Sequence, residues 1–240
     1  MQYMGGKRLI SNEIALIINT HTWGGQDEEH RPFVSLFCGG CAIEAKVKAN
    51  IKICNDIHPY LIAMWKGLQN GWIPPDAISK EEYQYIKAHK DENPALTGFV
   101  GFGCSFAGKW FGGYCRSKDK RNYCLSAKNS NNKILPYIMD VDFKCCDYKD
   151  VNIPVGAMVY CDIPYKGSTQ YDRKEVGDFN HDEFYEWVKL NSNKYDIYIS
   201  EYKENVPDDF SIVWEYNSKK DIRNSKNERV GTVEVLIKYF

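Results

Sequence analysis

Four consecutive residues, Asp162-Ile163-Pro164-Tyr165, follow the apolar run Ala157 to Cys161 and bring together a carboxylate, a rigid proline and an aromatic ring. A carboxylate at the end of a buried strand can accept a hydrogen bond from an exocyclic amine. A tyrosine three residues on can stack against a planar base. Open α/β sheets hold their ligands at that edge. An ordinary Asp-x-Pro turn uses the same residue types, so the four residues alone leave both readings open. A second cluster, Phe37-Cys38-Gly39-Gly40, follows the apolar run Phe33 to Phe37. Glycines there let the backbone approach a ligand closely. Cys41 stands where a further glycine is often seen, so the full dinucleotide fingerprint is missing. Asp56 ends the next apolar run, where it could accept hydrogen bonds from a ribose diol or serve a turn. A third cluster, Tyr3-Met4-Gly5-Gly6-Lys7, places two glycines before a lysine and could form an anion-binding nest.

These groups need elements to position them. Phe33 to Phe37 reads as a buried strand, Cys41 to Asn50 as a helix carrying Ala42, Ile43, Ala45 and Val47, and Ile51 to Cys54 as a second strand. That is a βαβ unit. Later in the chain, Ala157 to Cys161 and Asp196 to Ser200 read as strands. Asp182 to Leu190 between them is an amphipathic helix with Phe184, Trp187 and Val188 on one side. Ile212 to Tyr216 and Thr232 to Tyr239 alternate and are β-branched, and the polar loop Asn217 to Arg229 makes them a hairpin-like terminal pair. Alternating strands and helices predict an α/β fold with a mostly parallel sheet.

Composition bounds the rest. In 240 residues, 31 Lys and Arg face 32 Asp and Glu, which excludes a histone-like protein and an acidic tail. A hydrophobic fraction of 43% is enough for a sizeable core and excludes a disordered chain. No run suits a membrane span: the longest uncharged stretch, Asn93 to Gly108, carries glycines and Pro94. The nine cysteines follow no disulfide framework, which predicts free thiols and a cytoplasmic protein. Cys38 and Cys41 have zinc-like spacing but no matching partner pair, so no metal is expected.

The middle departs from the alternation. From about Lys66 to Lys133 the strand-helix rhythm is lost, and residues 98–113 are rich in glycine and aromatics. Residues 107–133 carry seven basic residues, among them Lys109, Arg116, Lys118, Lys120 and Arg121, against one acid, Asp119. Basic residues interleaved with Trp110, Phe111, Tyr114 and Tyr123 fit a nucleic-acid surface; the alternative is a solvated loop with its aromatics packed inward.

Taken together, the clusters resemble the Dam-type N6-adenine DNA methyltransferases. The resemblance is carried by Tyr3 to Lys7, by Leu36 to Cys41, by Asn55-Asp56-x-x-Pro59, by Cys104 to Tyr114, by Cys145 to Tyr148, by Asp162 to Tyr165 and by Ile199 to Tyr202. Their order is that of the alpha group. Two positions depart: Leu36 and Ile163 stand where the family commonly has proline. The resemblance implies a Rossmann-like methyltransferase fold with a seven-stranded, mostly parallel sheet and an antiparallel terminal strand. It implies a discontinuous catalytic domain, 1–65 and 134–240, and an inserted target-recognition domain, 66–133. It implies S-adenosylmethionine as methyl donor, held by Tyr3, Lys7, Phe37, Gly39, Gly40, Asp56, Asp147 and Asp162, with Lys7 on the donor's carboxylate.

Asp162, Ile163, Pro164 and Tyr165 would then act on an adenine flipped out of double-stranded DNA. Lys109, Arg116, Lys118 and Arg121 would grip that DNA. The resemblance further implies a bacterial or phage-encoded protein of the restriction-modification kind, a monomer or weak dimer. Three other readings compete. Ile163 allows a catalytically inactive DNA-binding relative. A protein glutamine methyltransferase has a related motif but begins it with Asn. The glycine turn with Asp56 allows a nicotinamide-dependent oxidoreductase, which leaves Asp162 to Tyr165 unexplained.

Overall fold

The computed structural model describes residues 3–22, 30–116, 121–166, 177–217, 222–223, 229–230 and 232–240. Its centre is a seven-stranded sheet. The strands are β1 (Phe33–Ser35), β2 (Lys52–Asn55), β3 (Asp142–Lys144), β4 (Met158–Cys161), β5 (Asp196–Tyr202), β6 (Ser211–Asn217) and β9 (Val233–Lys238), in spatial order β3-β2-β1-β4-β5-β9-β6. The first five pair in parallel, and β9 runs antiparallel to both β5 and β6. This is the expected Rossmann-like, mostly parallel sheet, with its one reversed strand placed inside the edge. Between β6 and β9, two-residue strands β7 (Ile222–Arg223) and β8 (Arg229–Val230) form a separate small ladder.

Alternation explains the layering. Phe33, Met158, Tyr160 and Tyr198 point to one face, where helix α1 (Ser11–Thr22) packs through Ile14 and Ile18. Val34, Val159, Cys161, Ile197 and Ile199 point to the other, against Phe184 and Val188 of the helix His181–Asn191. Both faces are covered, so β1 and β4 are buried at every residue, as central parallel strands are. The strand order reverses between β1 and β4. That switch point opens a crevice at the carboxyl ends of the two strands.

One predicted element is absent. Cys41 to Asn50 forms turns instead of a helix. Side chains of α1 capture the backbone that a helix would need: Asn19 Nδ2 donates to the Lys46 carbonyl at 3.2 Å, and Asn19 Oδ1 accepts from Lys48 N at 2.8 Å. Local hydrogen bonds of this kind compete with helix formation.

Residues 66–133 hold α3 (Lys80–Ala88), α4 (Pro94–Gly98), a π-helical turn (Phe99–Gly103) and most of α5 (Tyr123–Ile134). The position 65/66 falls inside α2 (Pro59–Gln69). Phe99, Phe102, Trp110 and Cys124 share one apolar cluster with Cys38, Cys54 and Phe143, so this segment builds on the β2–β3 side of the sheet. No helix among the described residues is long and apolar enough to cross a membrane. All nine cysteines are free thiols.

Candidate active site

The glycine turn leaves the end of β1 and is fixed from several sides. Gly39 has φ +45, in the left-handed region, and a Cβ there would lie 2.7 Å from Cε1 of Tyr3. Only glycine lets the Tyr3 ring lie so close over the turn. Trp65 Nε1 donates to the Gly39 carbonyl at 3.0 Å, and Cys41 N closes the turn on the Cys38 carbonyl at 2.9 Å. Cys41 has φ 52, the conformation that a glycine would adopt without strain. For a residue with a Cβ it costs about 1–2 kcal/mol. The non-glycine departure in the motif is therefore a strained backbone with its shape preserved.

Asp56 binds this turn to the start of α2. Its Oδ2 accepts from Gly39 N at 3.0 Å, and its Oδ1 accepts from His58 N at 3.0 Å. Burial pushes its carboxyl up to about 6, against the two amide hydrogen bonds that favour the charged form. Asn55 braces the same edge. Its Nδ2 donates to the carbonyls of Leu36 and Cys146, at 3.1 and 3.0 Å, and its Oδ1 accepts from Cys146 N at 3.1 Å. One side chain thus holds together the ends of β1 and β2 and the loop that presents Asp147. Asp147 accepts from Lys149 N at 2.9 Å and is part-exposed.

Across the switch point, Asp162 follows β4 and pairs with a lysine. Lys7 Nζ lies 2.7 Å from Asp162 Oδ1, 3.8 Å from Glu234 Oε2 and 4.4 Å from the centroid of the Tyr165 ring. It also donates to the Gly5 carbonyl at 3.1 Å. Burial raises the pKa of Asp162, and the Lys7 ammonium opposes that rise. Lys7 was expected on the carboxylate end of a cofactor; here its ammonium meets Asp162. Ile163 is buried and Pro164 is held by His181, whose Nε2 lies 2.7 Å from the Pro164 carbonyl. The Tyr165 ring meets Tyr202 edge-on at 4.5 Å. Glu201 then ties down the exit from the motif, accepting from Tyr202 N at 2.7 Å, from Asn205 Nδ2 at 3.2 Å and from Lys166 N at 3.4 Å.

The two halves face one cavity of about 420 Å³, within the range of small-molecule sites. Tyr3, Lys7, Phe37, Gly39, Gly40, Asp56, Asp147 and Asp162 all line it, as do Ile163, Pro164 and Tyr165. Phe37 and Phe179 supply an apolar wall at a ring separation of 5.6 Å, and the buried Phe184 ring packs behind Phe37 at 5.8 Å. Glu44 and Glu234, which the sequence reading passed over, line the cavity too. Their signal was an acid within an otherwise apolar run, Ala-Ile-Glu-Ala and Val-Glu-Val-Leu. Nothing in the local sequence marks His181.

The basic segment is split by the fold. Lys109, Arg116 and Arg121 are exposed, and the two guanidinium groups lie over Tyr114 and Tyr123 at 5.8 and 5.3 Å. Lys118 and Lys120 fall outside the described residues. Lys128 is paired with Asp76 at 2.6 Å. Trp110 and Phe111 are buried, with Trp110 stacked on Tyr60 at 5.5 Å and 4.3 Å from the His58 ring centroid. The largest aromatics of this segment therefore serve the core, as the inward-packing alternative has it.

Residues 3–98 match the family model described as D12 class N6 adenine-specific DNA methyltransferase. The matched stretch holds Tyr3 to Lys7, the glycine turn and Asn55 to Pro59, and ends before Asp162. Among solved structures, the rRNA methyltransferase aviRa from Streptomyces viridochromogenes is 10% identical, with 95% of this chain and 83% of that chain covered and a TM-score of 0.41. SMU.472, named as a candidate methyltransferase and complexed with SAH, is 13% identical, with 98% and 55% covered and a TM-score of 0.38. The chain thus spans about half the length of that second structure.

Proposed function

We propose that this protein is an S-adenosylmethionine-dependent DNA methyltransferase that methylates adenine at N6. The observation that carries the reading is the shared cavity. The glycine turn with Asp56 on one side and Asp162 to Tyr165 on the other open onto the same space at the switch point of the sheet. The residues fit the cofactor. Phe37 offers an apolar wall, Asp56 and Asp147 offer acceptors for ribose hydroxyls and an adenine amine, and the acidic lining favours a cationic ligand. A dinucleotide fits less well. Its pyrophosphate needs a helix N-terminus after the glycine turn, and the turns at 41–46 provide none.

The cofactor supplies an electrophilic methyl group on a sulfonium. The chain's residues supply the rest. Tyr165 stacks on the flipped adenine, and flipping costs a few kcal/mol. Asp162 and the Ile163 carbonyl accept the two N6 hydrogens, which turns the nitrogen lone pair toward the methyl. Positioning of this kind is worth up to about 7–11 kcal/mol in favourable systems. The Asp162 carboxylate also stabilises the positive charge that develops on the nitrogen, and the methylated amine then loses one N6 proton to solvent. Lys7 opposes the rise that burial imposes on the Asp162 pKa and so favours its ionised form. Residues 66–133 form the target-recognition segment, with Lys109, Arg116, Lys118 and Arg121 on phosphates or base edges.

The test is methylation of a random-sequence DNA duplex, followed by long-read detection of modified bases. N6-methyladenine at a recurrent site is expected; a duplex left unmodified under conditions where the cofactor binds overturns the reading and favours a catalytically inactive DNA-binding relative. DNA affinity should also fall with salt by about 0.9 in log slope per phosphate neutralised. Replacing Arg116 and Arg121 together by Ala should flatten that slope, and an unchanged slope removes them from the interface.

A further inference from the structure

Glu44 is a buried acid at the cavity for which the proposed reaction has no use. It lies just past the glycine turn, is 2% exposed and lines the cavity. Its Oε1 accepts from Ser35 Oγ at 2.7 Å and its Oε2 accepts from Ile43 N at 3.2 Å. Those bonds hold the carboxyl in the cavity wall, tied through Ser35 to the end of β1. No lysine or arginine is paired with it among the described residues; the nearby ammonium of Lys7 is committed to Asp162 and Glu234. A carboxyl buried without a counter-ion is costly when charged. A cationic ligand entering the same cavity would be that counter-ion.

We propose that Glu44 binds the cationic end of S-adenosylmethionine as a carboxylate and thereby favours the sulfonium donor over the neutral thioether product. The inference rests on the reading given under Proposed function. Donor and product share the ribose, the adenine and the amino-acid group, and differ by one methyl group and the positive charge on sulfur. A buried carboxylate distinguishes that charge in a low-dielectric site far better than in water. Product release after transfer follows from the same contact, since loss of the sulfonium leaves Glu44 again without a counter-ion.

Proton linkage makes the contact measurable. Burial pushes the Glu44 carboxyl up to about 7 in the ligand-free protein, with Asp162 adding to the rise and the Ser35 and backbone hydrogen bonds opposing it. Burial raises Cys38, Cys41 and Cys54 around the turn and Tyr160 on β4, so none of them is charged at neutral pH. Asp162 carries Lys7 as its partner, and Asp56 accepts two backbone amides. A cation bound beside Glu44 should therefore expel its remaining proton.

The experiment is calorimetry on the full chain with S-adenosylmethionine and with S-adenosylhomocysteine, at pH 6, 7 and 8, in two buffers of different ionisation enthalpy. At pH 7 the wild type should release about half a proton more with the donor than with the product, as expected for a group half-protonated there. The E44Q protein should release no such excess. It should bind the donor about tenfold more weakly at pH 8 and the product within about twofold. Gln fits the site, since its amide oxygen can accept from Ile43 N and its amide nitrogen can donate to Ser35 Oγ. Equal loss of both ligands in E44Q, or an unchanged proton excess, overturns the proposal while the methyltransferase reading stands. If E44Q does not fold, absence of the proton excess in the wild type overturns it equally. A wild type that binds neither ligand overturns both readings.

Discussion

Asp56 and Asp162 each follow a parallel strand beside β1, and burial raises the pKa of both. They differ in what satisfies them. Asp56 accepts from two backbone amides, which belong to the turn and to the helix start that it positions. Asp162 is held by one side-chain ammonium on the N-terminal segment. Backbone amides are fixed by the fold, so Asp56 is a structural clamp with acceptor capacity left over for a ligand. An ammonium on a flexible stem can shift, so under the proposed function Asp162 would exchange part of its contact for a substrate amine. On that proposal the same residue type at equivalent edges holds in one case and exchanges in the other.

The sharpest way to break this comparison is to remove the exchanging acid. Asp162→Ala should lower single-turnover methyl transfer by about 10²–10³-fold or more, the scale of a lost electrostatic stabiliser. Cofactor affinity by calorimetry should stay within about tenfold. Near-normal turnover would remove Asp162 from the chemistry. Removing the clamp should show the opposite pattern. Asp56→Ala should weaken cofactor binding by about 1–3 kcal/mol, the range for a lost hydrogen bond to a charged group. It should also lower the melting temperature of the ligand-free protein, since Gly39 N and His58 N both lose their acceptor. Unchanged affinity would make Asp56 a turn residue only.

Lys7→Met separates the two acids by pH. The ammonium lowers the pKa of Asp162; without it, burial and the charge of Glu234 both push that pKa up. Asp162 must be ionised to accept the amine hydrogens, so the acid limb of turnover should move to higher pH. Under saturating cofactor, the loss should be about tenfold for each unit of displacement below the limb and should shrink as pH rises. An acid limb in its wild-type place would show that Lys7 does not tune Asp162. The smallest effect is expected at Ile163→Pro. The chemistry needs the carbonyl at this position, which both residues have, and Pro164 already biases residue 163 toward an extended backbone. Turnover should change by less than about tenfold in either direction. A wild type inactive until it receives the proline would favour the inactive-binder reading.

The sequence was most legible where the signal is local. Phe33 to Ser35, Met158 to Cys161 and Asp196 to Tyr202 are apolar runs ended by turn residues or acids, and each is a strand within a residue or two of its reading. The Asp182 to Leu190 helix extends by one residue at each end, because its apolar stripe is periodic. The Cys41 to Asn50 helix failed for a reason outside its own segment: Asn19 on α1 takes the backbone groups that the helix would use. Periodicity could not show a competitor from another helix.

For the candidate site, the sequence by itself determined which residue types stand after which strands. Gly39, Asp56, Asp147 and Asp162 to Tyr165 each sit at the end of an apolar run or turn, and one cavity collects them. Only the tertiary structure decided their partners. The pairing of Lys7 with Asp162, the bracing of the β1 and β2 ends and the Cys146 loop by Asn55, the hold of His181 on Pro164 and the burial of Glu44 all join residues remote in sequence or depend on exclusion of water. Strand and turn preferences act over a few residues and are written locally. A carboxyl's charge depends on everything packed around it, and that environment exists only once the chain has folded.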